Sequence, residues 1–271
     1  YGILNGTSNF ILTKMLTTEK NFNEILKEAQ KLGYAEADPT FDIDGIDTAH
    51  KLSILSSLAF NVDSELHRIK TEGIRNIDLL DLKFADSLGY KIKLLGISEI
   101  ENRVIKNYVY PCLVEKDNFI ANVDGVYNGV VVESDFCNKS FFQGEGAGSF
   151  PTATSVFSDI KSILDSEPSH LKRPKNNNVR FSKPEKRFGK YYLRFSTDDK
   201  PGVISGIAKE FKKNNISMKS MLQEDSKVIK SKDATIVITT HDCEEKDMID
   251  ALIRINKMSF IKKKTVYFRI E

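Results

Sequence analysis

The sequence predicts an α+β protein: helices on one face of a mostly antiparallel sheet, followed by a smaller βαββαβ unit. Three observations carry this. Apolar residues recur at helical spacing over residues 9–32 and 45–60. From Tyr90 the period falls to two. Beyond Lys190 strand and helix patterns follow one another in βαββαβ order. Helices first and strands second describe a helical layer on an antiparallel sheet.

Phe10, Ile11 and Met15 mark a first helix. Phe22, Ile25, Leu26 and Ala29 mark a second, ended by Gly33. Ile46, Ala49, Leu52, Leu55 and Leu58 mark a third over residues 45–60, with Asp42 or Asp44 as its cap. Asp78 caps a fourth, which runs to about Leu88 and stops at Gly89. "KIKLLGISEI", "NRVIKNYVYPCLV", "ANVDGVYNGVVVESD" and "KSFFQGEG" then read as strands with turns between them. "FPTATSVFSDIKSILD" is helical again, with Pro151 near its first turn.

Residues 168–189 change character. Pro168, Pro174, Pro184, the run Asn176 to Asn178 and many Lys and Arg predict a solvated tether. From Lys190, "YYLRFST", "ISMKSMLQE", "DATIVITTHD" and "TVYFRIE" are strands, while "PGVISGIAKEFKKN" and "EEKDMIDALIRINKM" are helices. That is the ferredoxin-like order. The expected organisation is a domain over residues 1–167, a linker over 168–189 and a second domain over 190–271.

Composition removes several classes. With 40 basic and 38 acidic residues the net charge is +2, so the total implies neither a nucleic-acid binder nor an acidic tail. Cys112, Cys137 and Cys243 lie far apart and form neither a CxxC pair nor a metal-ligand spacing. No apolar run reaches the roughly 18 residues of a membrane span, and no signal-peptide pattern is present. A reducing, cytoplasmic setting is expected.

Chemistry concentrates in "GYAEADPTFDIDGIDTAHKLSILSSLAF", residues 33–60. Glu36, Asp38, Asp42, Asp44 and Asp47 crowd together, and Lys51 follows Asp47 by one helical turn. By itself an Asp–Lys pair at that spacing is an ordinary solvated ion pair. Its crowded neighbours argue for more, because so much like charge calls for a cation. A metal is one candidate, but the D-x-D spacing is not that of a calcium loop. A substrate ammonium held by carboxylates, with a lysine nearby for proton transfer, fits better. "GEGAG", residues 144–148, would let a backbone approach a ligand closely, or is simply a tight strand-to-helix turn. "GILNGTSNF", residues 2–10, offers Gly6 and Thr7 to a carboxylate, or is an ordinary helix start capped by Thr7, Ser8 or Asn9.

These segments, in this order and together with "GEGAGSFPTATSVFSDI", resemble the homoserine dehydrogenase family over residues 1 to about 165. The tail, from "DDKPGVISGIAKEFKKNNISMKSMLQ", resembles an ACT regulatory domain. The resemblance implies NAD- or NADP-dependent interconversion of L-aspartate 4-semialdehyde and L-homoserine, in threonine and methionine biosynthesis. It makes Lys51 the catalytic lysine. It gives Glu36 and Asp47 the substrate's amino end, lines the substrate pocket with Tyr34, Gly6 and Thr7, and puts Asp42 in the polar network. Gly146 and Gly148 would lie beside the cofactor. No protein-held metal is expected in this chain, while a monovalent cation belongs to the family's nucleotide domain. That Rossmann domain is not in this sequence, so the chain reads as the catalytic and regulatory portion and is expected to be inactive alone. The ACT unit would bind an amino-acid effector, L-threonine, at Asp199, Gly202, Val203, Asn215 and Ile216. A homodimer or higher homo-oligomer is expected, with no nucleic-acid or membrane partner. The alternative is a non-catalytic ACT sensor of amino acids.

Overall fold

The computed structural model describes residues 1–165, 178–182, 187–224 and 233–271. The chain divides into two compact units: Tyr1–Pro111 with Glu115–Pro184, and Cys112–Val114 with Glu185–Glu271. Of the expected linker, residues 168–177 and 183–186 lie outside the described residues.

In the first unit the sheet runs β6 (Asn138–Glu145), β5 (Tyr127–Ser134), β1 (Gly2–Ile3), β3 (Tyr90–Glu101), β4 (Val104–Glu115). β1 pairs antiparallel with both neighbours, Gly2 opposite Gly96 and Val130. A Cβ on Gly2 would fall 2.6 Å from the Gly129 carbonyl oxygen, so only glycine lets β5 close on this short strand. β3 and β4 form a hairpin whose two turn residues, Asn102 and Arg103, have φ of 50° and 62°. That is the turn which matches the twist of paired strands. β2 (Lys70–Thr71) and β7 (Arg180–Phe181) pair parallel with β4. The expected tether therefore contains a short strand.

Helices α1 (Gly6–Thr18), α4 (Ile46–Phe60) and α5 (Leu79–Ser87) pack on β3, and α2 (Phe22–Lys31) packs on α1. Gly96 of β3 faces Leu4, Leu52 and Thr48, so a small residue lets α4 approach the sheet. Asn21 and Glu24 cap α2 reciprocally, and Asp78 caps α5 as expected. α6 (Ser149–Asp165) carries Phe150, Phe157 and Leu164 at 86%, 73% and 79% exposure and buries no side chain.

Three expectations fail locally. α4 starts at the left-handed Gly45 (φ 78°) with no side-chain cap, because Asp42 and Asp44 bond elsewhere. α1 is capped by Asn5, not by Thr7, Ser8 or Asn9, which lie inside the helix. The strand expected over residues 121–135 begins only at Tyr127, after a 3₁₀ turn over Phe119–Asn122. Asn9 Nδ2 donates to the carbonyls of Val123, Gly125 and Tyr127 at 3.0, 3.0 and 3.2 Å. Lys93 Nζ donates to the Val123 carbonyl at 2.6 Å and to Asp124 at 2.8 Å. Those carbonyls are turned inward to buried donors.

The second unit is β8 (Phe188–Thr197), α7 (Val203–Lys213), β9 (Met218–Glu224), β10 (Ala234–Thr240), α8 (Glu245–Ile255) and β12 (Ile261–Ile270), in the predicted βαββαβ order. β11 (Cys243–Glu244) pairs with the start of β8. The strand order β12-β8-β10-β9 has antiparallel neighbours throughout. Tyr191, Leu193 and Phe195 send alternate residues into a core shared with Val203, Ile207 and Phe211 of α7 and Met248, Ala251 and Ile255 of α8. A fully buried Arg269–Glu245 pair, 2.6 Å at its shortest, lies in this unit.

Candidate active site

Three chain segments meet where α1 and α4 begin. Asn5, 5% exposed, caps α1 through Oδ1, which accepts from the Ser8 amide at 2.8 Å. Its Nδ2 donates to Asp42 Oδ1 at 2.7 Å and to Asp47 Oδ2 at 2.9 Å. Asp47 stands in the first turn of α4, where the helix dipole favours a carboxylate. One turn on, Lys51 Nζ lies 2.8 Å from Asp47 Oδ2 and donates to the Leu4 carbonyl at 3.0 Å. A lysine ammonium has three donors, so one remains for a ligand.

Burial pushes the Asp42 carboxyl above its ordinary range. The Asn5 hydrogen bond opposes this, the Asp47 charge adds to it, and Lys51 and Glu36 act in opposite senses more weakly. The acidic loop is braced from its far side. Arg75 pairs with Asp44 and donates to Thr40 Oγ1 at 2.9 Å, and the Thr40 amide donates to Asp38 at 3.1 Å. Asp38 and Asp44 thus serve the loop, while Asp42 and Asp47 face inward. Ile74 N–H meets the Ile43 carbonyl at 2.7 Å, and a Cβ on Gly73 would fall 2.2 Å from that same oxygen.

These groups line a cleft of about 420 Å³. Asn5, Gly6, Thr7, Tyr34, Asp42, Asp47 and Lys51 contribute to it, as do Val126, Asn128, Gly146 and Gly148. The structure thus gathers eight of the nine sequence-predicted residues of this site. Glu36 is exposed and does not line the cleft, although its charge reaches Asp42. Thr7 Oγ1 donates to the Tyr34 carbonyl at 2.6 Å, which fastens Tyr34 over the start of α1. The Tyr34 ring lies 4.9 Å from that of Phe10.

Sequence reasoning missed Asn5, Asn128 and the Leu4 carbonyl. Only Asn5 left a signal, since asparagine just before Gly6-Thr7 is a favoured cap. Asn128 Oδ1 is buried without a hydrogen-bond partner, and a Cβ on Gly146 would fall 2.0 Å from its Nδ2. The absence of a side chain at Gly146 is what admits Asn128. Gly148 adopts φ 124°, a conformation open to glycine alone.

A second cleft, of about 340 Å³, lies in the other unit, lined by residues 197–204 with Gln223 and Ile236. Asp199, Gly202 and Val203 line it. Asn215 and Ile216 do not: Asn215 follows α7 with φ 55°, and Ile216 is 6% exposed in the core beside Phe211. Gly202 is the left-handed cap of α7 (φ 95°) and supplies no side chain to its first-turn amides. Thr197 Oγ1 is buried and has no hydrogen-bond partner. Among the described residues no cluster of His, Cys, Asp or Glu could hold a metal ion, and no helix is long and apolar enough to cross a membrane.

Comparison with known proteins follows this division of the chain. The homoserine dehydrogenase family profile matches residues 1–160, more than half of the sequence. The chain belongs to the homoserine dehydrogenase family. The ACT domain profile matches residues 191–258. Homoserine dehydrogenase of Neisseria gonorrhoeae is 39% identical over 279 residues, covering all of this chain and 64% of its own length. The crystal structure of a homoserine dehydrogenase from Thiobacillus denitrificans superposes with a TM-score of 0.91 at 38% identity, covering all of this chain and 63% of that one. A hyperthermophilic archaeal homoserine dehydrogenase mutant, solved in complex with NADPH, matches 63% of this chain and 48% of its own at 29% identity and a TM-score of 0.52. The chain therefore spans about 64% of the length of the curated homoserine dehydrogenase it matches.

Proposed function

We propose that this chain supplies the substrate site and the regulatory unit of a homoserine dehydrogenase, which interconverts L-aspartate 4-semialdehyde and L-homoserine with NADP or NAD. The observation that carries this reading is Lys51. Its ammonium is held between Asp47 and the Leu4 carbonyl, inside a cleft that Gly146 and Gly148 also line.

The roles follow from the chemistry of each group. Asp47, with Asp42 and Glu36 nearby, attracts the substrate ammonium through charge-assisted hydrogen bonds. First-turn amides of α1 at Gly6 and Thr7 suit the substrate carboxylate. Lys51 meets the C4 oxygen. It donates a proton as the carbonyl becomes an alkoxide and accepts one from the hydroxyl in reverse. Asp47 and the Leu4 carbonyl fix the direction of its remaining donor. A nicotinamide cofactor supplies the hydride when bound. The turn after β6 fits such a ring, because Gly146 and Gly148 line the cleft there without side chains and Gly148 takes a φ of 124° that favours glycine. These glycines form one side of a dinucleotide site, so the chain by itself is expected to show no dehydrogenase activity.

Lys51→Ala in the complete enzyme tests the reading. Turnover of homoserine with NADP should fall roughly a hundredfold, the usual worth of a positioned acid–base group, with a smaller change in KM. Unchanged turnover would return the Asp47–Lys51 pair to a surface ion pair. The same reading assigns the second unit to feedback. L-threonine would place its carboxylate at the α7 N-terminus, in the cleft that holds Thr197, Asp199 and Gly202. A two-fold homodimer, the commonest soluble assembly, completes the proposal.

A further inference from the structure

Asn5 stands at a helix start, where Asn, Asp, Ser and Thr cap about equally well. The cap alone does not select among them. The other side of the same side chain does. Oδ1 is engaged with the Ser8 amide, and this contact fixes the orientation of the amide group. A flipped amide would set its NH2 against the Ser8 N–H and its oxygen against two carboxylates. The NH2 must therefore point at Asp42 and Asp47, and it donates one proton to each, at 2.7 and 2.9 Å. Aspartate here would put a third carboxylate beside those two. Serine or threonine would cap α1 and leave both carboxylates without this donor.

We propose that Asn5 is a positioning residue that holds the Asp42 and Asp47 carboxylates side by side and so sets the affinity of the cleft for the substrate ammonium. This rests on the reading of the cleft given above. Two carboxylates that both face a cleft repel, and each has free rotation about its side chain. Asn5 ties one oxygen of each to a single, 5%-exposed anchor. Asp47 Oδ2 is then shared between Asn5 and Lys51, and its other oxygen is left for an ammonium. The charged groups that bear on Asp42 are Asp47 and Lys51 of α4 and Glu36 of the preceding loop. The Asn5 bond favours the ionised form of Asp42 against burial and against the Asp47 charge. Without it Asp42 keeps its proton to a higher pH, and the cleft loses negative charge there.

The test is Asn5→Ser in the complete enzyme, which keeps an oxygen to cap α1, with Asn5→Ala and Asp47→Asn beside it. KM for homoserine should rise about tenfold in Asn5→Ser, the effect of losing a hydrogen bond to a charged group, while kcat changes less. The acid limb of kcat/KM should move to higher pH. Asn5→Ala should show the same rise in KM together with a lower melting temperature, from the lost cap. A merely structural role lowers the active fraction, and hence apparent kcat, and leaves KM and the pH limb in place; that pattern overturns the proposal. If Asp47→Asn raises KM and Asn5→Ser does not, the inference about Asn5 fails alone. If neither raises KM, the ammonium reading of the carboxylates fails with it.

Discussion

Asp42 shows how one side chain can weaken a fold while serving its site. The folded chain holds this proton more tightly than the unfolded chain, because burial outweighs the Asn5 hydrogen bond. Below the ordinary carboxyl value of 3.8 both states are protonated and the group carries no electrostatic penalty. As pH rises through the raised value, the folded state must carry a half-buried charge beside Asp47, and stability is lost. Asp42→Asn keeps the shape and an acceptor for Asn5. It should raise the melting temperature at pH 7 by roughly 2 °C, a gain that shrinks to nothing toward about pH 3. A melting curve at each pH checks both signs. An equal gain at both pH values would show that packing, not charge, is responsible.

At the level of elements, the acidic loop depends on backbone closeness that no side chain advertises. Gly73 lies against Ile43 and Asp44, with room for nothing larger than hydrogen. Gly73→Ala should destabilise the chain by about 1–3 kcal/mol, seen as a lower denaturant midpoint, since the neighbouring atoms are backbone and cannot rotate away. A midpoint within error of wild type would mean that the 69–75 segment is free to shift. This contact also marks where sequence reading ended. Apolar periodicity found α1, α2 and α4, because each buries a face that repeats every turn, while α5 was read from its Asp78 cap and Gly89 stop. α3 (Thr40–Ile43) passed unnoticed, since four residues are too few for a period to register. The run after Ala121 read as strand on its valines, but Asn9 and Lys93 claim its carbonyls first. The charged members of the cleft were legible from their crowding before a lone lysine. Asn5 and Asn128 were not, because neutral amides acquire meaning only from what the fold sets against them.

On the scale of the whole molecule, each unit has its own buried core and its own cleft. Thr197 offers a clean probe of the second cleft. Its hydroxyl is buried without a partner, so Thr197→Val removes a polar group that the fold itself does not use. Calorimetry of the chain with L-threonine should show binding, and Thr197→Val should weaken it about tenfold while leaving the melting temperature unchanged or higher. No heat at millimolar threonine would leave the unit as an assembly element, and binding indifferent to the substitution would place the effector elsewhere.

The clamp formed by Asn9 and Lys93 has a consequence for how this sequence can drift. Both donors grip carbonyl oxygens, which every amino acid provides, and Lys93 adds one side-chain hold, on Asp124. The loop that delivers Asn128 to the cleft is therefore shaped by residues outside it. Exposed Tyr127 is expected to tolerate substitution without moving the trace, whereas Asn9 and Lys93, far away in the chain, are not. Tolerance to mutation is thus expected to be inverted: an exposed position beside the cleft should accept change, and the buried donors beneath it should not.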